Sequence, residues 1–197
     1  MHNYIIVANN KNIKNNFITN LSNPIIITLN HAAILCENKI DNNIIYHFSR
    51  RSFNKKIPYS GLKNIEQIKS KLEKLFLYPH PESIGNKKQK QKVINYINHN
   101  TSINISNISH MSGFGKHQYT KEARYFLRNT GNNISNMSMG LISYLYIKQI
   151  KDKRDGVYIY GFTHQMNKNF HNPVGEKNFF NKEIEKGLCQ RLELLQK

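Results

Sequence analysis

The feature that most constrains this chain is a series of short, β-branched apolar runs, each ending in a polar cluster. Tyr4–Ala8 reads YIIVA, Ile25–Leu29 reads IIITL and Asn43–Phe48 reads NIIYHF. Continuous apolar runs of this length, without alternation, are what a strand buried on both faces looks like. Asn15–Leu21 can form a short helix between the first two, and Asn23–Pro24 breaks it. A β-α-β order within so few residues calls for parallel strands joined by crossovers that cover the sheet. The 197 residues suffice for one domain with a sizeable core. The expected fold is therefore α/β: a single Rossmann-like domain over 1–197, with a mostly parallel sheet and helices on both faces.

From Asn54 to Thr101 the pattern turns Lys-rich, with helical periodicity at Leu62–Leu77 and Gln89–Ile97 and a Pro-containing turn at Tyr78–Pro81. This section, 54–101, reads as a helical insertion whose lysines form solvated faces. Ser102–Ile108 alternates as a half-buried strand does, and Tyr119–Leu127 suggests a helix. SMGLISYLYIKQI follows, an apolar helix with Ser138 as its N-cap, and then a strand at Val157–Phe162. The tail from Lys177 to Leu195 carries apolar residues at helical spacing and should pack on the sheet.

Twenty-nine Lys and Arg against twelve Asp and Glu give a formal charge of +17, so the partner chemistry is anionic: phosphorylated small molecules, polyanions or acidic lipid. Cys36 and Cys189 lie far apart with no metal-ligand spacing, which reads as two reduced thiols. MHNYIIVANN lacks the apolar stretch of a signal peptide, and no run reaches the length of a membrane span. The expectation is a cytoplasmic protein with at most peripheral contact with anionic membrane at the inner face. Neither G-x-G-x-x-G nor G-x-x-x-x-G-K-[ST] is present, which removes the dinucleotide fingerprint and the phosphate-binding loop of nucleoside triphosphatases. No D-x-D pair follows a strand to hold a metal against a diphosphate, so transfer chemistry is expected to be metal-independent, with no cofactor.

Ligands of parallel sheets bind beyond the C-terminal strand ends. The polar residues expected there are Asn9 and Asn10 after the first strand, Asn30 and His31 after the second, Ser138 and Gly140 at a helix start, and Thr163–His164 after the last strand. Together they can hydrogen-bond a nucleotide. His171 follows in the next loop, with Glu176 five residues on at a helix start. A neutral imidazole can take a proton from a sugar hydroxyl near neutral pH.

GLISYLYIKQIKDKRDGVYIYGF, then THQ, then HNPVGEKNFF resembles, in order and spacing, the small motifs of the animal-type sialyltransferases, glycosyltransferase family twenty-nine. IIVANN and IITLNHA are similar to the two asparagine-bearing segments of that family's large motif. The resemblance covers both ends of the chain and leaves residues from about 54 to 130 unmatched, where acceptor specificity is expected. The chain departs from the pattern at Ala8, where the family has glycine, at Thr28, where it has arginine, and at Met139, where it has serine or threonine. It also lacks the family's linking cysteine pair.

The resemblance implies a GT-A-like variant of the sheet and an inverting glycosyltransferase. It would move a keto sugar, sialic acid or Kdo, from a CMP-activated donor to the hydroxyl of a glycan or lipid-linked oligosaccharide. It further implies that Asn9, Asn30, Ser138 and Gly140 hold the CMP part, that His171 is the base with Glu176 supporting its motif, and that His164 lies near the donor phosphate or acceptor. Two rivals stand beside this reading. One is a small basic nucleic-acid-binding protein, although no nucleic-acid motif is visible. The other is a catalytically degenerate CMP-binding homologue.

Overall fold

The computed structural model describes residues 1–8, 21–30, 44–51, 59, 62, 65–130, 136–164 and 171–192. Seven strands form one all-parallel sheet in the order β5-β4-β3-β2-β1-β6-β7. They are β1 (Asn3–Val7), β2 (Pro24–Leu29), β3 (Ile44–Arg50), β4 (Leu72–Tyr78), β5 (Ile108–Ser109), β6 (Gly156–Tyr160) and β7 (Gln190–Arg191). The helices are the single turn α1 (Ile65–Ile68), then α2 (Lys87–Asn100), α3 (Gln118–Arg128), α4 (Met139–Ile150) and α5 (Pro173–Glu185). The α/β, Rossmann-like expectation is met.

Strand alternation sorts the core into two layers. Tyr4, Ile6, Ile25, Ile27, Leu29, Tyr46, Phe48 and Phe76 face α3, α4 and α5. Ile5, Val7, Ile26 and Ile45 point the other way, toward Ile68 of α1, while Leu75 and Leu77 of β4 meet Val93 and Ile97 of α2. Both faces are thus covered, which is why the strands read as unbroken apolar runs. Thr28 and His47 are register partners on β2 and β3, fully buried, and share a 2.7 Å Oγ1 to Nδ1 hydrogen bond.

Helix α4 lies against β1, β2 and β3, and every residue from Met139 to Ile147 is buried. A helix apolar all round its circumference must be covered on all sides, and the sheet and the flanking helices provide that cover. Phe48 and Phe76 stack at 4.3 Å between centroids, with Tyr146 of α4 edge-on to both.

Three sequence expectations are corrected. The helix expected over Leu62–Leu77 is a single turn followed by β4, an integral strand of the sheet. The helical period of its leucines was produced by Leu62, Ile65 and Ile68 before the strand begins, while Leu75 and Leu77 continue at a spacing of two. The section 54–101 is accordingly not a purely helical insertion. At Ser102–Ile108 a 3₁₀ turn, Ile105–Asn107, precedes a two-residue edge strand. The last helix ends at Glu185, after which Gly187 at φ 68° turns the chain into β7. The helix expected at Asn15–Leu21 lies almost wholly outside the described residues. The lysines at positions 87, 88 and 92 are exposed, as solvated faces require.

Candidate functional site

From β1 the sheet grows outward to β2, β3, β4 and β5 on one side and to β6 and β7 on the other. The C-terminal ends of β1 and β6 therefore flank the point where the direction of winding reverses, the place where such sheets open a crevice for ligands. Leu29–Asn30, Arg50 and Gly161–His164 emerge at this end, and α4 and α5 both begin here. Gly161, at φ 73°, adopts a left-handed conformation as the chain leaves β6.

Two helix starts are fastened together. Ser138 is the N-cap of α4, its Oγ accepting from the Leu141 N–H at 3.2 Å. Glu176, in the first turn of α5, accepts the Ser138 backbone N–H on Oε1 at 2.7 Å and the Ser138 hydroxyl on Oε2 at 2.6 Å. Glu176 is 1% exposed, and burial pushes its carboxyl up to about 7 against the opposing effects of the two Ser138 hydrogen bonds and the Arg50 charge.

The start of α5 is set by Asn172, whose Oδ1 accepts from the Gly175 N–H at 2.8 Å. Its Nδ2 donates to the Leu127 carbonyl at 2.9 Å and to the Thr130 carbonyl, so α5 is tied to the end of α3 as well. Any side chain on Gly175 would meet Asn172, its Cβ falling 2.6 Å from Nδ2.

This arrangement refines the part expected of Ser138. While Glu176 is ionised the Ser138 hydroxyl proton is committed to it, so toward a ligand Ser138 can then only accept. The N–H groups of Met139 and Gly140, which no preceding turn can satisfy, are the donors at this helix start. Gly140 is small for a different reason from ligand approach: a Cβ there would sit 2.4 Å from the Phe162 ring. Met139 is buried in the core and fills space there without presenting a hydroxyl.

Asn30 stands at φ 48°, a left-handed conformation that asparagine tolerates, and its Oδ1 accepts the Arg50 backbone N–H at 2.9 Å. The side-chain oxygen of Asn30 is thus used to join β2 to β3. Arg50 points to the same face as Tyr46 and Phe48, and its Nη1 donates to the Met137 carbonyl at 3.1 Å, immediately before the cap of α4. The sequence reading missed it because the third strand was expected to end at Phe48, whereas β3 runs on to Arg50.

His171 lies with Nδ1 at 3.4 Å from the Asn136 carbonyl. A carbonyl only accepts, so this contact requires the tautomer protonated on Nδ1 and leaves Nε2 as the basic nitrogen. Burial, and secondarily the Arg50 charge, hold its pKa below the usual imidazole value, against the contact with Asn136. His164, at φ 53°, lies among the rings of Phe162 and Phe180. Its Nε2 is buried and meets no hydrogen-bond partner among the described residues. Burial first, then Arg191 and Lys177, push its pKa down to about 4, so it is neutral at physiological pH.

The structure therefore gathers Asn30, Ser138, Gly140, His164, His171 and Glu176 at one end of the sheet and adds Arg50. Asn9, Asn10 and His31 lie outside the described residues. No group of three or more His, Cys, Asp or Glu that could hold a metal ion occurs among the described residues. Cys189 is a free, buried thiol, and Cys36 falls outside the described residues. No helix among the described residues is long and apolar enough to cross a membrane. No family model matches the chain, and comparisons with curated proteins and with solved structures also give no match.

Proposed function

We propose that the protein is an inverting, metal-independent glycosyltransferase that moves a keto sugar, sialic acid or Kdo, from a CMP-activated donor to a hydroxyl of a glycan or lipid-linked oligosaccharide. The observation that carries this reading is the clasp between Glu176 and Ser138, which joins the segment bearing His171 to the helix start expected to meet the donor. The same motif order that suggested the family in sequence thereby acquires a physical purpose at the end of a parallel sheet where nucleotides bind.

In the proposed reaction the acceptor hydroxyl gives its proton to Nε2 of His171, while its oxygen forms a bond to the anomeric carbon. The bond from that carbon to the phosphate oxygen breaks in line, and CMP leaves with the electron pair. A His171 neutral near pH 7 suits the base role, and its Nδ1–H directed at Asn136 keeps Nε2 available. The Met139 and Gly140 amides would meet the negative charge that grows on the leaving phosphate. His164, neutral, would act there as a hydrogen-bond donor without a charge of its own.

Thermal shift with CMP, UDP and GDP is the first test, with stabilisation expected from CMP alone. His171→Ala should abolish transfer and leave CMP binding intact, and the wild type should hydrolyse the CMP-sugar slowly without acceptor. Calorimetry that detects no CMP binding at millimolar concentration would remove the reading.

A further inference from the structure

Arg50 has no part in the reaction just described, yet its surroundings are those of a ligand-binding residue. It ends β3 next to the central strands, half-buried, with its backbone clamped by Asn30 and one guanidinium nitrogen on the Met137 carbonyl. The ion pairs among the described residues are Lys90–Glu82 and Lys148–Glu183, so none of them neutralises Arg50. Its charge acts on both Glu176 and His171, so it lies within electrostatic reach of each. Glu176 accepts from Ser138 on both carboxylate oxygens and makes no ion pair with Arg50 among the described residues. Among the described residues only the Met137 carbonyl takes a guanidinium hydrogen, and a partly desolvated guanidinium is best satisfied by an oxyanion gripped by two parallel N–H groups.

We infer that Arg50 is the anion-recognising residue of this site and takes two oxygens of a phosphate or a carboxylate on the ligand. The inference rests on the CMP-sugar reading only for the identity of the ligand, since a CMP-activated keto sugar carries both groups. A permanent cation here also accounts for how the site attracts an anion at a pH where His164 and His171 are neutral.

Calorimetry with cytidine, CMP and an intact CMP-keto sugar on wild type, Arg50→Lys and Arg50→Met tests it, with circular dichroism to establish that each variant folds. If phosphate is the contact, Arg50→Met binds CMP roughly tenfold or more weakly and cytidine unchanged. If carboxylate is the contact, CMP is unaffected and the intact donor loses a similar factor. Wild-type affinity of Arg50→Met for both CMP and the intact donor overturns the inference.

Should Arg50→Met fail to fold, Arg50→Lys decides, because it keeps the charge and loses the two-pronged geometry: weakened binding supports the inference and unchanged binding overturns it. If wild type binds no CMP, the proposed function fails separately, and inorganic phosphate becomes the probe. Stabilisation of wild type that is lost in the folded variant then supports an anion site at Arg50, whereas no stabilisation of wild type overturns both readings.

Discussion

Helix α5 carries two buried glutamates on one face, two turns apart, and each reaches into α4, yet their surroundings differ. Glu183 meets the Lys148 ammonium at 2.5 Å and accepts from the Tyr144 hydroxyl at 2.6 Å. Lys148 lies in turn 4.4 Å from the centroid of the Tyr119 ring, so α3, α4 and α5 converge on one neutralised pair. Glu176 has a serine where Glu183 has a lysine. Its two hydrogen bonds satisfy the geometry without supplying a counter-charge, and its pKa rises to about 7. The comparison teaches that burial and helix position are shared, while the partner decides whether a buried acid meets a counter-charge or only uncharged hydrogen-bond donors.

The contrast can be broken most strongly at Glu183. Glu183→Ala would strand a half-buried ammonium and a buried phenol, and chemical denaturation should show a loss of about 3–5 kcal/mol. A loss under about 1 kcal/mol would mean that the pair is solvated and the contrast with Glu176 false.

Glu176→Gln keeps the shape and removes the proton. In the folded chain Glu176 holds its proton up to about pH 7, whereas the unfolded chain releases it near 4.5. Between these values the folded state binds more protons, so stability falls as pH rises. The Gln variant should therefore gain about 3 kcal/mol on the wild type between pH 4.5 and 7, read as the difference of two urea titrations. His164 works in the opposite sense. Its folded pKa of about 4 lies below the unfolded 6.5, so its contribution is present above 6.5 and is lost as pH falls toward 4. Glu176→Gln should expose that slope, and a parallel pair of profiles would show that Glu176 does not titrate in this window.

Gly140→Ala tests the packing beneath the same helix start. The new Cβ meets Phe162, and overpacking of this kind should cost about 1–3 kcal/mol by thermal unfolding. The smallest expected effect is at the cap that presents Glu176. Asn172→Ala removes the α5 cap and the ties to the Leu127 and Thr130 carbonyls, a loss of about 1–2 kcal/mol. Restoration of most of that loss by Asn172→Asp would show that the cap outweighs the ties, because aspartate keeps the acceptor and loses the donor.

Much of the site could be read from order along the chain. Ser138 as a cap, the strand before His164 and the helix begun near Glu176 were each visible, because capping and periodicity are local properties. Pairing was not. That Glu176 clasps Ser138 depends on the approach of two helix starts, and that Asn30 holds Arg50 depends on neighbouring strands in register. The third strand was expected to end at Phe48, since nothing local says that β3 continues to Arg50. Leu62–Leu77 failed for the complementary reason: its apolar spacing suits a helix, and only the neighbouring β3, buried and in need of a second partner, makes its latter half a strand.

The sequence by itself determined the parallel sheet, because strands buried on both faces must be apolar at every position and few other folds use such runs. It also determined which residues arrive at the strand ends. The tertiary structure decided what those residues are worth there, because pKa, charge balance and free donors depend on neighbours brought from distant parts of the chain. Glu176 and Glu183 are the same residue on the same helix face, and a serine against a lysine on α4 is what separates them.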